Sequence, residues 1–213
     1  MVATVIGSTG LTGLSLVHQL LADPAITKVI SVSRRMLALS NDKLTEVLIA
    51  DLAELPAVES RIRGELYFCC LGTTIKAAGS KENFEKVDYT AIVAFAKIAK
   101  AHDAKSFTLV SAMGANENSM FFYNRIKGRT EAALKNLGFR SLIIFRPALL
   151  VGSRRESRLV ERVATKTLVP LSPILPIRLQ RRILTKTKTL ARRMLTKGIA
   201  APLGVHVIQS QDI

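Results

Sequence analysis

Apolar residues along this chain gather in short runs bounded by turn residues, separated by longer stretches with apolar positions three and four apart. The runs Val2 to Ile6, Lys28 to Ser33, Thr45 to Ile49, Glu65 to Leu71, Ser106 to Val110 and Ser141 to Phe145 have the length and the β-branched or aromatic content of strands. Helical spacing runs through Leu14, Val17, Leu20 and Leu21, and again over Asn83 to Ala101 and about Asn118 to Asn136. Strands that alternate with helices predict an α/β fold, a doubly wound parallel sheet with helices on both faces and a ligand crevice at the carboxyl ends of the strands. Beyond Gly152 the pattern changes. Helical stretches over Glu156 to Thr167 and Leu179 to Thr196 flank Pro170 to Pro176, where prolines at 170, 173 and 176 exclude an ordinary helix, and Val205 to Ile208 is a last short strand able to rejoin the sheet edge. The expected organisation is one domain, with an α/β core over 1–152 and a small basic helical appendage with a final strand over 153–213.

The first strand ends at a glycine, and Gly7, Ser8, Thr9, Gly10, Leu11, Thr12 and Gly13 lead from it into the first helix. This strand, turn and helix context is what a Rossmann-type dinucleotide loop requires. Gly7 permits the tight turn, Gly10 lets the backbone approach a pyrophosphate, and Gly13 lets the helix pack closely on the strand, while free amides at the helix start face the phosphate charge.

Composition narrows the partners. The 213 residues, 48% hydrophobic, suffice for one well-packed domain. No apolar run approaches the roughly 18 to 20 residues that span a bilayer, and Met1 leads straight into a strand, so the expectation is a soluble, cytosolic (cytoplasmic) protein, monomeric or homodimeric. Cys69 and Cys70 are adjacent at the end of an apolar run, which fits packing in a reducing compartment better than a disulfide or a redox pair. His18, His102 and His206 lack ligand spacing, so no metal is expected. Of the net charge of +15, +10 lies in residues 151–213, which hold 13 Lys/Arg against 3 Asp/Glu. A solvated helical face explains that excess more simply than a polyanion site, since it carries neither interleaved aromatics nor a nucleic-acid motif.

Three further positions bear on chemistry. Ser33, Arg34 and Arg35 close the second strand, where a site for NAD normally places an acid on the ribose hydroxyls; guanidinium groups there favour a 2′-phosphate, and so NADP(H) over NAD(H). Asp51 and Leu52, after the third strand, can meet an adenine, or Asp51 can simply cap a turn. Tyr123 and Lys127 are four apart on one helical face, and Ser111 ends the fifth strand at the same edge. An ammonium beside a phenol stabilises its anion, which suits the phenol to exchange a proton with a carbonyl or alcohol. Ser111 is then expected to hydrogen-bond the substrate oxygen, and Lys127 to hold the nicotinamide ribose as well. Phe121 and Phe122 either wall a substrate pocket or belong to the core.

The glycine loop, Ser111, the Tyr123 and Lys127 pair and Arg146-Pro147 together resemble the short-chain dehydrogenase/reductase superfamily. More narrowly, Cys69 to Thr74, Lys127-Gly128 and Phe145-Arg146-Pro147 followed by Arg155 to Arg158 resemble the Tat-interacting oxidoreductase group of atypical members. That resemblance implies that Leu71, Gly72 and Thr73 lie beside the ribose and pyrophosphate, and that Pro147, Ala148 and Leu149 present backbone groups to the nicotinamide carboxamide. Alanine stands at 148 where many members have glycine, and the chain after Gly152 is short for a large substrate. The expectations are an NADP(H)-dependent reductase or dehydrogenase acting on a small carbonyl or alcohol; alternatively a redox-silent NADPH-binding regulatory protein; and third, a polyanion binder acting through the basic C-terminal segment.

Overall fold

The computed structural model describes residues 1–152 and 184–213. Among them are the strands β1 (Val2–Ile6), β2 (Lys28–Ser33), β3 (Leu44–Leu48), β4 (Leu66–Cys69), β5 (Ser106–Val110), β6 (Ser141–Arg146), β7 (Leu149–Val151), β8 (Leu184–Lys186) and β9 (Gly204–Gln209). All but β7 and β8 form one seven-stranded sheet in the order β3-β2-β1-β4-β5-β6-β9, with every neighbouring pair parallel. The chain runs outward one way through β1, β2 and β3, then returns to place β4, β5 and β6 on the other side of β1. The order therefore reverses between β1 and β4, and the carboxyl ends of those two strands frame the crevice where such sheets bind ligands.

Strand residues alternate between two cores. Ala3, Val5, Phe68, Val110, Ile143 and Phe145 pack beneath α1 (Leu11–Ala22) and the C-terminal helix, together with its Leu190 and Met194. Ile6, Val32, Cys69, Phe107, Leu109 and Ile144 pack on the opposite face with Phe95 and Leu134. Central strands apolar on both faces are what a parallel sheet covered by helices demands. Each fully buried phenylalanine contributes about 1.5–3 kcal/mol relative to exposure.

On that opposite face, α2 (Ile75–Ala78) precedes α3 (Lys81–Glu85), which runs on through a π-helical stretch, Lys86–Ala91, into α4 (Ile92–Ala101), so the helix expected over Asn83 to Ala101 is present with a π turn set into it. A π turn places one extra residue in the helical repeat and re-aims the side chains on it. α5 (Phe122–Asn136) follows β5 and begins later than the expected Asn118. A 3-10 helix, Leu52–Ile62, lies beyond β3 and contains Pro56. The expected helix over Leu179 to Thr196 is corrected in part. Leu184–Lys186 is extended and pairs in parallel with β7, and α6 (Thr187–Ala200) begins only at Thr187. Residues 179–183, the stretch Glu156 to Thr167 and the segment Pro170 to Pro176 lie outside the described residues. The final strand pairs with β6, as its pattern suggested, from Ser141 opposite Gly204 to Arg146 opposite Gln209.

Candidate functional site

The loop after β1 is built to leave amides free. Gly7 adopts φ +76, and a Cβ there would meet the Cys70 carbonyl at 2.7 Å, so only glycine fits between the ends of β1 and β4. Gly10 donates to the Gly7 carbonyl at 3.1 Å and caps α1 without any side-chain bond; no acidic residue occupies the first turn. The helix N-terminus thus presents partial positive charge to the crevice. A Cβ on Gly13 would collide with the Gly7 carbonyl, which holds the helix against the loop. Thr12 Oγ1 is buried in this turn with no hydrogen-bond partner among the described residues. Unfilled helix amides and an orphaned buried hydroxyl at one place fit the oxygens of a pyrophosphate. Ser8 faces inward instead, sharing a 2.7 Å hydrogen bond with Ser31, while Thr9 and Gly10 are exposed and Leu11 is half-buried.

Across the crevice, α5 aligns Tyr123, Lys127 and Glu131 at successive four-residue steps. Tyr123 is half-buried, its ring 5.6 Å from that of Phe84 on α3; Phe84 also meets Phe122 at 5.7 Å, while Phe121 is exposed. Lys127 is buried, and its Nζ lies 2.7 Å from Asp88 Oδ1 on the π-helical stretch. Asp88 is fully buried, and its other carboxylate oxygen accepts the Thr73 amide at 2.9 Å. Burial disfavours the ammonium, but the Asp88 charge, aided by Tyr123 and Cys69, outweighs it and raises the Lys127 pKa above its usual value. A Cβ on Gly72 would stand 3.6 Å from Lys127 Nζ and 3.7 Å from Asp88 Oδ1, so the exposed Gly72 opens directly onto this pair.

One turn further, a second buried network holds Ser111. Its hydroxyl donates to Glu131 Oε1 at 2.6 Å, and Arg146 clasps Glu131 through Nε at 3.0 Å and through its terminal nitrogen at 2.6 Å. That charge-assisted pair, then burial, sets the Arg146 pKa, which ends above its usual value. A serine that gives its only proton to a carboxylate keeps just its lone pairs for another partner. Ser111 in this arrangement can accept from a substrate hydroxyl or from a phenol but has no proton for a carbonyl.

The remaining expected contacts divide. Arg34 and Arg35 are exposed directly after β2, and Ser33 shapes that turn by donating to the Arg35 carbonyl at 2.6 Å. Asp51 caps the 3-10 helix, accepting from the Ala53 amide at 2.8 Å in a capping box with Glu54, and Leu52 is half-buried; the capping reading of Asp51 is the local one. Leu71, Gly72 and Thr73 follow β4 at the crevice. The backbone of Pro147 to Leu149 is largely engaged by the protein itself. The Pro147 carbonyl accepts from Met113 at 2.9 Å, the Ala148 amide donates to Thr185 Oγ1 at 3.1 Å, and Leu149 pairs with Leu184 in the β7·β8 ladder. Cys69 is buried, and burial pushes its thiol up to about 12, with Cys70 likewise raised, so both are packing thiols.

Sequence reasoning missed Asp88 and Glu131. The spacing from Lys127 to Glu131 continues the Tyr123 stripe and was a usable signal. For Asp88 there was none, because the π turn that aims it at Lys127 leaves no periodic mark.

A family model described as NAD(P)H-binding matches residues 7–167. The chain belongs to this NAD(P)H-binding family. It is 39% identical over 160 residues to the mitochondrial protein FMP52-1 of Scheffersomyces stipitis, covering 74% of this chain and 71% of that one. It is 35% identical over 165 residues to protein HTATIP2 of Rattus norvegicus, covering 76% and 68%. Among solved structures, MoeE5 in complex with UDP-glucose and NAD has a TM-score of 0.75 at 15% identity, covering 98% of this chain and 75% of that one. An oxidoreductase of the short-chain dehydrogenase/reductase family from Burkholderia thailandensis has a TM-score of 0.73 at 17% identity, covering 99% and 91%. At such identities the structures speak to the fold alone.

The relatives correct one expectation. The FMP52 proteins of Scheffersomyces stipitis, Emericella nidulans, Candida albicans and Debaryomyces hansenii are named mitochondrial, which overturns the cytosolic assignment. Absence of a long apolar run carries no information on the compartment. No helix among the described residues is long and apolar enough to cross a membrane.

Proposed function

We propose that the protein is an NADP(H)-dependent oxidoreductase that interconverts a small carbonyl compound and its alcohol, with Tyr123 as acid and base. The observation that carries this reading is the placing of Tyr123 one turn before the buried Lys127 ammonium at the crevice, where Gly72 leaves the approach open. The nucleotide supplies or takes the hydride when bound. Gly7 to Gly13 hold its pyrophosphate by main-chain amides, Lys127 holds the nicotinamide ribose, and Leu71 to Thr73 line the ribose and pyrophosphate. The Tyr123 hydroxyl gives its proton to the substrate oxygen in reduction and recovers it in oxidation, the nearby ammonium stabilising the phenolate left between the two. Ser111, its own proton directed at Glu131, accepts a hydrogen bond from Tyr123 or from the alcohol.

The choice of NADP(H) rests on Arg34 and Arg35, exposed and without an acid among the residues that end β2. Replacing both by alanine is expected to weaken NADPH binding about tenfold or more while leaving NADH binding nearly unchanged, read by calorimetric titration. Equal loss for both nucleotides removes the 2′-phosphate contact. For the chemistry, turnover of aldehydes, ketones and quinones with NADPH is expected to fall by about a hundredfold or more in Tyr123→Phe, with NADPH affinity retained. Undiminished turnover disposes of Tyr123 as the acid.

A redox-silent NADPH-binding protein is the second reading. It is favoured by the engagement of the Pro147 and Ala148 backbone within the protein, which leaves fewer groups for a nicotinamide carboxamide. Saturating NADPH binding with no turnover across that substrate screen is its signature. The mitochondrial names of the relatives make that compartment the one in which to look for substrate or partner.

A further inference from the structure

We propose that Asp88 is a positioning residue of the nucleotide site, one carboxylate oxygen holding the Lys127 ammonium and the other the Thr73 amide, so that helix α5 and the loop after β4 meet the ribose as one unit. The inference rests on the nucleotide-binding reading of the crevice and assigns a role within it that the acid/base chemistry leaves unfilled.

Asp88 is a carboxylate with no exposed surface, and a buried charge persists only where partners compensate it. Its two oxygens are divided between two elements: Oδ1 is 2.7 Å from Lys127 Nζ on α5, and Oδ2 accepts from the Thr73 amide in the loop after β4 at 2.9 Å. Its backbone carbonyl also accepts from Thr130 Oγ1 at 2.7 Å, pinning the π-helical stretch to α5 on the same side. The π turn over Lys86–Ala91 is what brings this residue to face both partners. Gly72 adds the access: a side chain there would cover the ion pair, and none is present.

The consequence is a Lys127 whose charge depends on Asp88. The groups that face the ammonium are Asp88 from the π-helical stretch, Tyr123 from its own helix and Cys69 from β4; burial, the largest influence on it, opposes the charge. With Asp88 the ammonium keeps its proton to a higher pH than an ordinary lysine does. Without that carboxylate burial is opposed only weakly, and the amine gives up its proton at a lower pH. The ribose and phosphates then lose a cation that the wild-type protein retains.

The test is a titration of the full chain with NADPH at about pH 7 and about pH 9, a window in which the 2′-phosphate stays dianionic. Wild-type affinity is expected to be flat across it. Asp88→Asn is expected to bind several-fold more weakly at the lower pH and about tenfold more weakly again at the higher one. Should Asp88→Asn fail to fold, Asp88→Asn with Lys127→Met buries a neutral pair, and its weakened affinity is expected to be independent of pH. A merely structural role would lower affinity equally at both pH values. A flat profile for Asp88→Asn, or a pH-dependent one for the double variant, overturns the assignment while leaving the nucleotide site intact. A wild-type chain that binds no NADPH overturns the nucleotide-binding reading and this inference with it.

Discussion

Three glycines in the first loop occupy the same motif and do separable work, which makes the loop testable one atom at a time. The Cβ that alanine would add at Gly13 collides with the Gly7 carbonyl, so Gly13→Ala must move α1 away from β1. Overpacking of that kind costs about 1–3 kcal/mol. At Gly10 the only atom near such a Cβ is the same carbonyl at 3.4 Å, ordinary contact, and the residue is exposed with φ −78. Gly10→Ala is therefore expected to lower the free energy of unfolding by no more than about 1 kcal/mol, the cost of alanine in place of glycine at a helix N-cap. In the proposed binding mode its methyl group meets the pyrophosphate, so NADPH affinity is expected to fall by about tenfold or more. Gly13→Ala should lose stability and affinity together. If Gly10→Ala binds NADPH as the wild type does, the pyrophosphate is not seated on this loop.

At the level of elements, the sequence exposed whatever carries a period and concealed whatever depends on a neighbour. β2 and β5 fall on Lys28–Ser33 and Ser106–Val110, the bounds the runs predict, because parallel strands buried on both faces hold apolar or small hydroxyl residues at nearly every position. The glycine loop was equally legible, since Gly7 and Gly13 answer local steric demands. The 3-10 helix was written in Asp51-x-x-Glu54, a capping box of which the sequence reading offered the Asp51 cap beside an adenine contact and left Glu54 unused. Other features have no local signature. The parallel pairing of Leu149–Val151 with Leu184–Lys186 joins residues more than thirty positions apart, and it turns a helical-looking stretch into a strand by supplying backbone partners. Tyr123 and Lys127 were found from spacing, but the state of Ser111 was not. Only the folded chain brings Glu131 and Arg146 to it and turns its proton inward. The π turn at Lys86–Ala91 is of the same kind, since nothing in the continuous helical pattern marks the residue it inserts.

For the molecule as a whole, the buried ionisable groups set its limit on the alkaline side. Burial raises the Cys69 thiol from about 9 to about 12 and the Tyr67 phenol from about 10 to about 12, and Lys127 is also raised, with Asp88 overcoming burial. In each case the native protein holds a proton that the unfolded chain has released, so the native state binds more protons and stability falls as pH rises. The thiol contribution is whole below about pH 9 and is lost up to about 12; the phenol follows from about 10, and the lysine contribution is lost above the ordinary lysine value. Each group costs about 1.4 kcal/mol per pH unit within its window. An opposing effect exists, because a chain of net charge +15 and pI near 10.3 repels itself less as it approaches neutrality. Repulsion of that kind is dispersed over the surface and screened at about 0.15 M salt, whereas the buried groups are not, so the buried groups decide the sign. Unfolding free energy from urea titrations at that salt is expected to decline steadily between about pH 9 and 11. Cys69→Ala lowers the whole curve by leaving a small cavity, but it should flatten the decline by about one group's share. A stability curve that is level or rising through this window, or an unchanged slope in Cys69→Ala, would show that the interior does not hold these protons.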